Sequence, residues 1–164
     1  MATKQRTILD LMVALGGWFK DDSWHAWRVV LRAIFGLPIT GAADRVTFQQ
    51  LTGRTIPPSE PVKEAWLVCG RRAGKSIVAA LCAVFLACFK NYSDILAPGE
   101  RGTVMIVAAD RRQARVVYRY IVAFLELVPR LAAMIERKTA EGLDLTNGIS
   151  IEIHTASFKA VAGS

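Results

Sequence analysis

The chain has 164 residues, 52% of them apolar, enough for one domain with a real core and too many for a disordered chain. Its formal charge of +7 biases partners toward phosphates, whether of nucleotide, nucleic acid or lipid. The three cysteines, Cys69, Cys82 and Cys88, cannot all pair and lack zinc-ligand spacing, which fits a reducing cytoplasm.

In chain order, Ile8 to Phe19 is apolar but is broken by Asp10 and Gly16-Gly17 and lacks a cleavage pattern, so no signal peptide is expected. Asp22 to Phe35 predicts a capped helix with Trp24, Trp27, Val30, Leu31 and Ile34 on one face, stopped by Gly36-Leu37-Pro38. A shorter helix is expected within Thr40 to Thr52, before the turn-rich Gly53 to Pro61. Residues 1–61 therefore read as a helical N-terminal segment, and 62–164 as a separate α/β core.

That core begins with a short apolar run, Ala65-Trp66-Leu67-Val68-Cys69, expected as a buried strand that flows into Gly70-Arg71-Arg72-Ala73-Gly74-Lys75-Ser76. A helix follows. Its apolar stretch, Ile77 to Phe89, is shorter than the roughly 20 residues a bilayer core requires, so no membrane span is expected. Thr103 to Ala109 predicts a strand buried on both faces of a parallel sheet. Asp110 then caps a helix over Arg111 to Val128, with Ala114, Val117, Tyr118, Ile121, Leu125 and Val128 on its inner side and Pro129 at its end. One or two further helical turns are expected over Leu131 to Arg137. Leu143 to Thr155 predicts a hairpin around Asn147-Gly148, with Ile149, Ile151 and Ile153 alternating against Ser150, Glu152 and His154. The tail Phe158 to Ser164 shows no pattern.

Strand, glycine-rich loop and helix in that order place Gly70 to Ser76 as a phosphate-binding loop, with ATP the expected ligand. Backbone N–H groups at the helix start would surround the phosphates; Lys75 would reach the β- and γ-phosphates, and the Ser76 hydroxyl would ligate Mg²⁺. Cys69 stands where the usual pattern has its first glycine, with Gly70 one place later. The competing reading is a surface turn whose Gly-Lys-Ser only starts a helix. Arg71 and Arg72 either neutralise charge at the γ-phosphate, as an arginine finger supplied in cis, or form a solvated pair beside it. Arg111 and Arg112 read either as phosphate contacts to DNA or as a solvated basic turn, and the tryptophans as core packing or as base-stacking groups.

Four stretches together resemble the N-terminal ATPase part of the large terminase subunit of tailed bacteriophages: Ser23 to Arg28 with Gly36-Leu37-Pro38, Leu67 to Ser76, Ile106 to Arg115, and the Asn147-Gly148 hairpin. The resemblance implies an incomplete P-loop NTPase-type fold, a mainly parallel sheet with flanking helices and a helical N-terminal extension. It implies ATP and Mg²⁺ as cofactors, and double-stranded DNA, portal protein, small terminase subunit and a ring of like copies as partners in the host cytoplasm at the procapsid. It makes Lys75 and Arg71 the catalytic candidates, and it places an adenine-contacting glutamine ahead of the loop, where Gln49 and Gln50 stand.

The family's second carboxylate motif, an apolar strand ending in Asp-Glu, has no match here, and Glu141, Asp144 and Glu152 do not follow a run of that kind. A nuclease domain like the family's is not expected within these 164 residues. A truncated core that binds nucleotide without efficient hydrolysis is therefore expected, which leaves the enzyme assignment open. The rival readings are a helicase-like P-loop translocase fragment and a non-catalytic prophage remnant.

Overall fold

The computed structural model describes residues 5–156, and the chain divides between Ala73 and Gly74 into two compact units. The residues 158–164 of the patternless tail lie outside the described range.

The first unit is helical. Helix α1 (Ile8–Ala14) opens with a reciprocal cap, the Asp10 amide donating to the Thr7 hydroxyl and the Thr7 amide to the Asp10 carboxylate at 2.6 Å. Helix α2 (His25–Ile34) starts after a 3-10 turn over Asp22–Trp24, slightly later than the sequence suggests. Helix α3 (Ala42–Thr52) ends at Gly53, whose positive φ of 68° closes the last turn without a Cβ clash. Val29 of α2, Ile39 and Phe48 of α3 form a buried cluster between these helices. Gly36 lets the chain double back on itself: a Cβ there would sit 2.3 Å from the carbonyl carbon of Glu60, and Phe35 bridges Pro61.

The second unit is α/β. It comprises α4 (Lys75–Phe89), β1 (Gly102–Ala108), α5 (Arg111–Leu127), the single turn α6 (Pro129–Ala132), β2 (Ile135–Lys138), β3 (Gly142–Leu145) and β4 (Ile149–Thr155). The four strands form one sheet in the order β1-β4-β3-β2. Only β1 and β4 run parallel, in register from Gly102 opposite Ile149 to Ala108 opposite Thr155; the other two pairings are antiparallel. The sheet is thus mixed rather than mainly parallel, because the Asn147-Gly148 turn returns the chain beside itself. Gly148 supplies the φ of +81° that this turn needs, and the Asn147 side chain ties it to the Ala87 carbonyl near the end of α4 at 2.8 Å.

Apolar alternation fixes which face is covered. Val104 and Ile106 of β1 lie level with Ile151 and Ile153 of β4, and α4 and α5 pack against each other and against both strands. Leu81 and Val84 of α4, Ile121, Phe124 and Leu125 of α5, and Leu145 and Ile151 of the sheet are fully buried. α4 is apolar nearly all round, while α5 buries one stripe, which includes Phe124 in place of the expected Tyr118 and Val128. On the opposite face Met105 and Val107 are 59% and 60% exposed, so β1 is half-covered, not buried on both faces.

The two margins of the sheet differ. β2 is short, reads Ile-Glu-Arg-Lys and carries a register irregularity between Ile135 and Arg137. β1 is seven residues long, uncharged and regular. Part of the segment predicted as helix, Leu131 to Arg137, is therefore strand.

The expected strand over Ala65 to Cys69 is not formed. Among the described residues the run has no ladder partner, and Trp66, Leu67 and Val68 are exposed. Its β-prone composition is not enough without a neighbour to hydrogen-bond to. Among the described residues no helix is long and apolar enough to cross a membrane.

Candidate functional site

The loop from Gly70 to Ser76 runs into the start of α4. Gly74 takes the left-handed conformation, φ 82° and ψ 9°, and no side chain caps α4. The first helical bond runs from the Val78 amide to the Gly74 carbonyl at 3.0 Å, leaving the amides of Lys75, Ser76 and Ile77 without a partner among the described residues. By contrast, α1 is capped by Thr7, and α5 by Asp110, whose carboxylate accepts from the Gln113 amide at 2.8 Å. Free amides at the positive end of a fifteen-residue helix attract an anion.

The residues before Gly74 are strained and braced. Arg72, at φ 62°, is the one non-glycine residue with positive φ among those described. Such a conformation costs roughly 1–3 kcal/mol and persists only where its surroundings impose it. The indole N–H of Trp27, on α2, donates to the Ala73 carbonyl at 2.6 Å. That contact spans 46 positions and carries no signature in local periodicity, so the sequence reading missed it; it ties Trp27 to the loop backbone. Trp24 packs edge-on against Phe19, with ring centres 4.8 Å apart.

Gly70, Arg71, Arg72, Ala73 and Lys75 are exposed, Gly74 and Ser76 half-buried. The Ser76 hydroxyl makes no hydrogen bond among the described residues, so its lone pairs are free. Cys69 is half-buried, whereas burial pushes the thiols of Cys82 and Cys88, both on α4, up to about 12, which makes them inert at neutral pH. Gln49 and Gln50 are exposed near the end of α3.

The described acids near the sheet are engaged elsewhere. Asp110 caps α5. Asp144 accepts from the Ser150 hydroxyl at 2.7 Å and from Arg137 Nε at 3.1 Å, while Arg101 Nε donates to Ser150 at 3.0 Å and its Nη2 to Glu136 at 2.8 Å. The Ser150 hydrogen bond, followed by Arg101 and Arg137, holds the Asp144 carboxyl below the usual carboxylate range. Glu152 pairs with His154 at 2.9 Å. Among the described residues no group of three or more His, Cys, Asp or Glu is placed to hold a metal ion.

Arg111 and Arg112 both lie exposed in the first turn of α5. Farther along the same helix, Arg112, Arg115 and Arg119, with Tyr118 and Ala140, line an open groove of about 420 Å³. The sequence reading stopped at Arg112. The 3- and 4-residue spacing that joins it to Arg115 and Arg119 was the available signal.

No family model matches the chain, and no curated protein matches it.

Proposed function

We propose that this chain is the ATP-binding part of a DNA-packaging motor of the large-terminase kind, which in a full-length protein moves double-stranded DNA into a procapsid. The start of α4 carries the reading: free amides of Lys75, Ser76 and Ile77 behind a left-handed Gly74, at the head of a fifteen-residue helix with no side-chain cap. Such a helix start, with a lysine and a hydroxyl in its first turn, fits a polyphosphate.

In this reading the amides cradle the β-phosphate, the Lys75 ammonium holds the β- and γ-phosphates, and the unpartnered Ser76 hydroxyl is the protein's contribution to Mg²⁺. Bound Mg²⁺ would neutralise charge between the β- and γ-phosphates. Arg71 is the candidate for the γ-phosphate, and the strained Arg72 beside it shapes the turn. With Asp110 and Asp144 committed to a cap and a salt-bridge network, the described residues offer no obvious base for the attacking water. Nucleotide is therefore held without efficient turnover. Portal protein, small subunit and like copies in a ring are the partners that go with this reading, in the cytoplasm of the host.

Isothermal titration with Mg·ATP tests it. Saturable binding is expected for the native chain and none for Lys75→Ala; equal affinity of the two would end the assignment. Phosphate release no faster than in buffer alone is expected alongside.

A further inference from the structure

The solvent face of α5 carries a row of arginines, separate from the loop before α4. At 3.6 residues per turn, Arg112, Arg115 and Arg119 fall within an arc of about 60°, roughly opposite the buried stripe of Ala114, Val117 and Ile121. Arg111 stands four residues before Arg115, about 40° from it around the helix, but does not line the groove that Arg112, Arg115 and Arg119 share. All three arginines are exposed, and none has an ion-pair partner among the described residues. Glu126, the acid that continues the same face toward the end of α5, is taken by Lys138.

This row opposes helix stability. Arg115 and Arg119 are like charges four residues apart, and Arg112 stands in the first turn, at the positive end of the helix dipole. A helix that keeps three such residues on one face, uncompensated and lining one groove, has a polyanion as its complement. The geometry points to the phosphate backbone of double-stranded DNA as that polyanion, held along Arg112, Arg115 and Arg119 without regard to sequence.

The spacing supports a backbone. Seven residues of helix rise about 10 Å, so the row is long enough to lie along more than one phosphate of a strand. The duplex is favoured over a single strand because the face offers no stacking platform: Tyr118 is half-buried and its hydroxyl donates to the Thr139 carbonyl at 2.8 Å. This inference deepens the DNA half of the proposed function and is independent of its nucleotide half.

The test is fluorescence anisotropy of a labelled duplex of arbitrary sequence, titrated with the full chain in the absence of nucleotide at 50 to 200 mM salt. Three phosphate contacts predict a slope of log K against log salt of about −2.7, or about a 40-fold loss of affinity across that range. The triple variant Arg112→Ala/Arg115→Ala/Arg119→Ala is expected to lose at least tenfold in affinity at 100 mM salt and nearly all of the slope. A charge-matched control, Arg54→Ala/Lys63→Ala/Arg130→Ala, alters exposed residues elsewhere and is expected to stay within twofold of the native chain.

Equal losses in both triple variants would reduce the effect to net charge and overturn the proposal. So would an unchanged stripe variant whose circular dichroism is native, a tenfold preference for a single strand of equal length, or stripe-dependent binding to phosphatidylserine vesicles without duplex binding. Because nucleotide is left out, failure here leaves the Lys75 titration untouched, and failure there leaves this result standing.

Discussion

Two apolar runs of similar composition meet different fates in this chain. Thr103 to Ala108 forms most of β1, hydrogen-bonded in register to β4, whereas Ala65 to Val68 is exposed and, among the described residues, joins no strand. Both read as buried strands, since both are rich in Val, Leu, Ile, Met or Trp. What separates them is a partner. The side chains of a strand are worth little until a neighbour supplies the ladder and the covering layer, and β1 has β4 on one side with α4 and α5 on one face.

This contrast can be broken by truncating residues on either side of it and following urea unfolding. Ile151, fully buried on β4 beside β1, should lose about 2–5 kcal/mol on replacement by alanine, while Val68→Ala should stay within about 0.5 kcal/mol. Comparable losses at both positions would show that the 65–69 run is packed in solution. Gly142→Ala is the next largest effect. Its Cβ would lie 2.4 Å from the Ile151 carbonyl oxygen, and the forced shift of β3 from β4 should cost about 1–3 kcal/mol. An unchanged midpoint would mean that this pairing is loose.

A smaller effect should appear on the acid side. The Asp144 carboxyl titrates below its unfolded value of about 3.9, so its contribution is present above that pH and is lost as pH falls through the lower folded value. Asp144→Asn should therefore lower stability at neutral pH and flatten the decline below about pH 4. Parallel acid limbs for the two proteins would exclude Asp144 as a source of that decline. Smallest of all, Met105→Lys on the uncovered face of β1 should move the midpoint by no more than about 0.5 kcal/mol.

Legibility followed the range of the interactions. α4, α5 with its Asp110 cap, and the Asn147-Gly148 hairpin depend on spacing within a few residues, and the structure places each close to where the periodicity predicts. The unpaired 65–69 run, the strand β2 inside a stretch read as helix, and the network joining Arg101 to Ser150, Glu136 and Asp144 depend on partners 35 or more residues away in the Arg101 case, or on a neighbour that local composition does not specify. The candidate loop divides the same way. The start of α4 at Gly74 and Lys75 was legible because a helix start is local; the Trp27 indole on Ala73, 46 positions distant, was not. The arginine row was written plainly at 3- and 4-residue intervals, but its lack of counter-charges becomes visible only once Glu126 is seen paired with Lys138.

The unequal margins of the sheet set a limit on self-association. Charge, brevity and a register irregularity guard β2, while β1, at the other margin among the described strands, presents a long uncharged rail of amides and carbonyls. Two copies joined rail to rail about a twofold axis would have only guarded margins left to offer. Self-association by this route would therefore close at a pair.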